Sequence, residues 1–342
     1  MVAAVVVFGA PLLIWLRYAR YVSSSGGLYA FVEAAVGRRV ALVQAATWIV
    51  SYVLYLAYTT VQIVYDVLPS VVPIGKGLQT ALALAIPIAI VAVMVAGRAA
   101  ALLALAAMAV GQLALAGILD GVTVAHLSAP ASAFAAGAPT GSLAKAGAQT
   151  SLLYVCGSLP LFLGGELRRP ARTIRRGLTG TYLLTAVVIS LAVVPLAVAP
   201  GLLQTAIPGV TITRLFAGAS VAEAVGIGVA VSIAAVIVCE YLALTRLLHA
   251  IGGWPMRPIA VGVGALMVLA APLSLINPDG FYTALIKPSL VALWISQLIV
   301  FLAYPRFAAK HGQRVLPAWT LSAAASGLAI YGLWTGIQTA TT

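Results

Sequence analysis

Residues 154–176 read Tyr154-Val-Cys156-Gly157-Ser158-Leu-Pro160-Leu-Phe-Leu-Gly-Gly165-Glu166-Leu-Arg168-Arg169-Pro170-Ala-Arg172-Thr-Ile-Arg175-Arg176. The stretch begins as an apolar run and carries Gly157 and Pro160 in its middle. Glycine weakens a helix, and proline removes a backbone donor and clashes one turn back. A helix interrupted inside a bilayer exposes peptide groups that hydrocarbon cannot satisfy, so protein or a polar cavity must receive them. Transporters bind substrate at such half-helix ends. A kink satisfied by neighbouring helices is the other reading of the same residues. Five arginines then crowd into 168–176. Most of these read as an inner-surface loop attracted to anionic lipid.

Working outward, the whole chain has the composition of a membrane protein. Of 342 residues, 63% are hydrophobic and 8% charged, against roughly 25% charged in a soluble domain. The apolar runs are continuous rather than alternating, which predicts transmembrane helices and argues against a β-barrel. The net charge of +12 lies in short loops, so it reads as a positive-inside bias and no nucleic-acid partner is expected. Cys156 and Cys239 both fall in apolar segments and form no metal spacing or disulfide framework. No paired carboxylates, zinc spacing, nucleophile elbow or phosphate-binding glycine loop is present, so the chain is not expected to be an enzyme and no cofactor or metal is expected. The start of the chain is apolar without a basic leader, so no cleavable signal peptide is expected.

Ten spans are predicted, at 2–18, 41–65, 78–96, 99–119, 148–163, 178–199, 221–244, 259–276, 281–304 and 316–337. Residues 28–36 are short and carry Glu33, which predicts an interfacial helix. Residues 120–145 predict the longest loop, and the whole of 1–342 forms one transmembrane domain. Charge then sets the sides. One set of loops holds fifteen basic residues, among them Arg98, Arg246 and the block at 168–176. The opposite set holds Lys76, Lys145 and Arg214, and Lys287 falls within a span. The first set is therefore expected in the cytoplasm, and the protein in the plasma membrane as a multi-pass protein. Ten spans put both termini outside, and one more helix upstream of Met1 would bring the N-terminus inside.

Two further features point to a polar interior. Gln44, Thr47, Ser51, Tyr55, Tyr58 and Gln62 are spaced to share one helical face for five turns. Polar side chains avoid lipid, so this face meets either other helices or a water-filled path. Glu240 and Arg246 lie toward the inner end of the seventh span and Lys287 two turns into the ninth, just before Pro288. A charge within a span is a functional candidate, although Lys287 and Glu240 could each reach a membrane surface.

With these residues in hand, the chain resembles the amino acid–polyamine–organocation superfamily of secondary transporters. Ser25-Gly26-Gly27-Leu28-Tyr29-Ala30-Phe31-Val32 resembles the Gly-Gly-x-Tyr segment after that family's second helix. Gly157 with Gly165-Glu166-Leu-Arg-Arg-Pro170-Ala-Arg172-Thr-Ile174 resembles its sixth helix and exit. Thr245-Arg246-Leu-Leu-His-Ala250-Ile-Gly252-Gly-Trp-Pro255 resembles the end of its eighth. The resemblance implies two inverted five-helix repeats, with substrate held at the broken first and sixth helices. On this alignment the family's first helix is missing, and is expected upstream of Met1 or lost by truncation. The implied function is alternating-access transport of amino acids or related amines. Backbone groups around Cys156, Gly157 and Ser158 would hold the polar end of the substrate. Ser51, Tyr55 and Tyr58 would line the cavity and Tyr154 would gate it. Many proton-coupled members carry a fifth-helix lysine. Here Gln112 falls near that place, which disfavours lysine-based proton coupling and leaves sodium coupling, exchange or facilitated flux open; Gln112 and Glu240 are the candidate ion-coupling residues, for H+ or Na+. A non-transporting binding or assembly subunit of the same fold is the alternative.

Overall fold

A computed structural model describes residues 2–126, 140–191 and 207–338. Among these, every regular element is helical. The order is α1 (Val2–Tyr21), α2 (Leu28–Val36), α3 (Arg38–Gln62), α4 (Lys76–Val95), α5 (Arg98–Ala125), α6 (Thr140–Ser151), α7 (Pro170–Leu191), α8 (Pro208–Ala217), α9 (Ala219–Gly252), α10 (Met256–Ser274), α11 (Pro278–Lys310) and α12 (Val315–Gln338). α3 runs on through one π-helical turn, Ile63–Val67, into Leu68–Val71. α6 runs on as a 3₁₀ helix, Leu152–Glu166. Nine helices among the described residues are long and apolar enough to cross a membrane, and the molecule is an all-α, multi-pass membrane protein. The predicted span at 178–199 begins within α7, and its end lies outside the described residues.

One predicted loop differs from expectation, and one short helix is packed in a way the sequence did not show. The predicted loop at 120–145 is helical at both ends, because α5 continues to Ala125 and α6 starts at Thr140. Its alanines favour helix, which outweighs its Gly and Ser. α2 has the predicted bounds, but Leu28, Tyr29, Phe31 and Val32 are buried against protein rather than spread on an interface.

The core is assembled around α3, α9 and α11. α3 packs along α11, and α11 packs in turn on α12; α9 packs on α5, α8 and α3. α1 lies against α6, α7 and α12, and the 3₁₀ segment is held between α7 and α9. Aromatic side chains fill much of this core. Trp48 and Tyr52 stack with ring centroids 3.8 Å apart, and Phe162 lies 4.7 Å from Trp48. All six residues of the polar stripe on α3 are buried or half-buried. Part of the stripe bonds between helices: Gln44 Nε2 donates to Ser296 Oγ at 2.9 Å.

The two glycine pairs quoted above meet in space. Gly27 has φ +52°, and a Cβ there would lie 2.5 Å from the Phe162 ring. A Cβ on Gly164 would lie 2.9 Å from the Ser24 backbone nitrogen, and Gly165 abuts Ser25. Only glycine fits both the left-handed backbone and the close approach at Gly27. The chain entering α2 is thereby seated against the exit of the 3₁₀ segment.

Ends that the charge count places on one side come together. Glu166 accepts from Arg246 through Nε at 2.7 Å and Nη2 at 3.1 Å, and from Arg98 at 2.9 Å. Lys310 donates to the Ala34 carbonyl at 3.1 Å. On the opposite side, Arg214 donates to the Val71 carbonyl at 3.1 Å.

Candidate functional site

The site is built on the segment that opened the sequence reading. The anticipated break at Gly157 and Pro160 is not an unwound peptide. The winding tightens from Leu152 to Glu166 into a 3₁₀ helix. Its i to i+3 bonding keeps backbone groups paired inside the membrane. Runs of 3₁₀ beyond three or four residues are uncommon, and a stretch this long marks strain or a hinge.

Three residues per turn also decide what each side chain can reach, because positions i and i+3 eclipse. Leu152 and Val155 line one cavity, and Tyr154, Gly157 and Pro160 line another on a different face. Cys156 and Leu153 border both. The first cavity has a volume of about 430 Å³. Ser51, Tyr52 and Tyr55 of α3 wall it, with Glu240 of α9, Ser289 and Trp294 of α11, and Thr335 of α12. The second is about 290 Å³ and is closed by Phe8, Trp15 and Tyr182.

Of the residues expected at a substrate site, Ser51, Tyr55 and Cys156 thus share one cavity, joined by Glu240. Tyr154 and Gly157 face the second cavity, where Tyr154 stacks on Phe8 at 5.5 Å. Ser158 is fully buried, and its hydroxyl donates back to the Val155 carbonyl at 3.0 Å. Tyr58 is buried between Tyr55 and Tyr282. Gln112 is half-buried on α5 and is not in the wall of either cavity. The reason for the separation is the winding. An α-helical reading places Tyr154 and Ser158 on one face, and a 3₁₀ helix does not.

Glu240 dominates the electrostatics. It is 1% exposed. One carboxylate oxygen lies 3.9 Å from Cys156 Sγ, and the other has no hydrogen-bond partner. Six residues further along α9, Arg246 joins the ion pair with Glu166 toward the helix's C-terminal end. At 1.5 Å of rise per residue, Glu240 lies ~9 Å deeper than that pair. Its side chain is enclosed by protein rather than extended to that end of the helix. Around it, Ser289 Oγ donates to the Ser51 carbonyl at 2.9 Å, which ties α11 to α3 beside the cavity. The Tyr52 hydroxyl is buried without a partner.

Sequence reading missed Tyr52, Ser289, Trp294 and Thr335. Tyr52 pairs with Trp48, and both fall one residue after stripe members, Thr47 and Ser51, so they lie out of phase with the polar stripe. Ser289 directly follows Lys287-Pro288, and that proline was the available signal. Nothing in the sequence brings α12 to the cavity.

No protein-family model matches the chain, and a search of curated proteins finds no match. Among the described residues, no group of His, Cys, Asp or Glu could hold a metal ion.

Proposed function

We propose that the chain is a secondary transporter of the amino acid–polyamine–organocation type, moving amino acids or related amines across the plasma membrane by alternating access. The observation that carries this reading is the cavity of about 430 Å³ walled by α3, the 3₁₀ segment, α9, α11 and α12 with a buried carboxylate at its side. Small-solute sites have this character, being mostly apolar with a few placed polar groups. The 3₁₀ segment gives a wall that can change its winding as access alternates. The contact of Gly26-Gly27 with the exit of that segment, and of Glu166 with Arg246, joins the three motifs of the family resemblance into one assembly. Two inverted five-helix repeats are the topology proposed with this function.

The test is uptake by the purified chain in proteoliposomes against a panel of labelled amino acids and amines. Saturable uptake that is lost on Ser289→Trp, which fills the cavity from α11, is the expected result. Uptake no faster than in protein-free vesicles across the panel refutes the proposal.

A further inference from the structure

The cavity carries a charge preference that narrows its occupant. Of the described residues that wall it, Glu240 is the only one that bears a formal charge, and it is an acid. The remaining polar groups are neutral: Ser51, Tyr52, Tyr55, Gln149, Ser289 and Thr335. The rest of the wall is Leu, Val, Gly and Trp294 together with Cys156. A zwitterionic amino acid entering this space would bring a carboxylate next to Glu240 with no basic side chain to receive it. A monoamine with an apolar body would place its ammonium on the unpaired carboxylate oxygen and its hydrocarbon or ring against the apolar wall.

An ionised carboxylate buried without a partner is very costly in an apolar medium. Glu240 is therefore stable with a bound proton or with a bound cation, and its place in the wall admits one at a time. The titratable groups that face it are Cys156 on the 3₁₀ segment, Tyr52, Tyr55 and Tyr58 on α3, and Cys239 on its own helix. All are neutral acids, so none supplies the missing positive charge.

We propose that the cavity selects organic monoamines over zwitterionic amino acids, and that the ligand's ammonium and a proton compete for the Glu240 carboxylate. Binding then exchanges charge evenly: the ammonium arrives, the Glu240 O–H bond breaks, and one proton leaves to solvent. This inference rests on the transporter reading above and gives that reading a substrate class and a coupling ion.

Three indoles of nearly one shape test it: tryptamine (cationic), L-tryptophan (zwitterionic) and tryptophol (neutral). Binding to the purified full chain is measured by titration calorimetry in two buffers of different ionisation enthalpy, which counts protons released. Tryptamine is expected to bind at least about tenfold more tightly than either analogue, the worth of one charge-assisted hydrogen bond. It should release about one proton, and its affinity should fall up to roughly tenfold per pH unit on acidification. In Glu240→Gln the tryptamine preference and the proton release should both vanish. The proton count needs only the wild-type chain, so it stands even if the variant does not fold. Equal binding of tryptamine and tryptophan, or tryptamine binding without proton release, overturns the inference and leaves the transporter reading intact. No binding by any of the three, together with no uptake across the wider panel, overturns both.

Discussion

The ion cluster at Glu166 offers a quantitative test, because its three members differ sharply in burial. Arg246 has a side chain only 4% exposed, Glu166 is 18% exposed, and Arg98 is 59% exposed. Removing one partner of a buried pair costs about 3–5 kcal/mol, since the charge left behind is uncompensated. Glu166→Ala strands the Arg246 guanidinium with only the Leu242 carbonyl at 3.1 Å, so the full cost of about 3–5 kcal/mol is expected. Arg246→Ala leaves Glu166 with Arg98 and some solvent, which reduces the electrostatic loss to about 2–3 kcal/mol. Arg98→Ala removes an exposed partner and should cost about 0–1 kcal/mol. The order Glu166→Ala, Arg246→Ala, Arg98→Ala is thus fixed by geometry. It is read by unfolding the purified protein in mixed micelles with increasing anionic detergent, followed by circular dichroism. A double-mutant cycle on Glu166 and Arg246 isolates their coupling. Equal losses for Arg98→Ala and Glu166→Ala, or a Glu166→Ala loss within about 1 kcal/mol of zero, would refute the assignment of Arg246 as the principal partner.

The same unfolding assay checks three more substitutions. Gly27→Ala meets both a left-handed backbone and the Phe162 ring at 2.5 Å, and should destabilise by about 2–4 kcal/mol; a loss below about 1 kcal/mol would show that the α2 entry is not seated there. Trp48→Ala removes a fully buried ring stacked on Tyr52, with an expected loss of about 3–5 kcal/mol. Ser296→Ala leaves Gln44 without its hydrogen-bond partner and should cost about 1–3 kcal/mol, whereas adding Gln44→Leu to it replaces both partners by apolar groups and should bring the loss back toward zero. The reverse order would contradict the interhelical bond.

Much of the fold was legible in the sequence because lipid imposes so few solutions. Continuous apolar runs place the helices, and the arginines place the loop ends that Glu166, Arg246 and Arg98 then bring together. The packing of α2 was not legible: its apolar face is covered by α3 and α11, a tertiary contact. The site was legible only in part. Ser51 and Tyr55 follow from helical periodicity, and Glu240 from the rule that a charge in a span needs a purpose. Tyr154, Gly157 and Ser158 were misplaced relative to them because Gly and Pro announce a departure from α-helix but not its form. A 3₁₀ helix shifts each side chain by 20° per residue relative to an α-helix, and over four residues that moves Tyr154 and Ser158 onto different faces. Gln149, Trp294 and Thr335 come from elements whose meeting is purely tertiary.

The central claim is that a small solute occupies the cavity between α3 and the 3₁₀ segment and crosses the membrane from it. Counterflow tests this most directly. Proteoliposomes loaded with unlabelled tryptamine are diluted into labelled tryptamine, and the transient accumulation inside is followed. The wild-type chain should show the overshoot. Ser289→Trp, which blocks this cavity, should abolish it, and Thr181→Trp, which occupies only the second cavity, should preserve it. No overshoot by the wild type with tryptamine or with any member of the wider amino acid and amine panel, or an overshoot that survives Ser289→Trp and is lost with Thr181→Trp, would contradict the account.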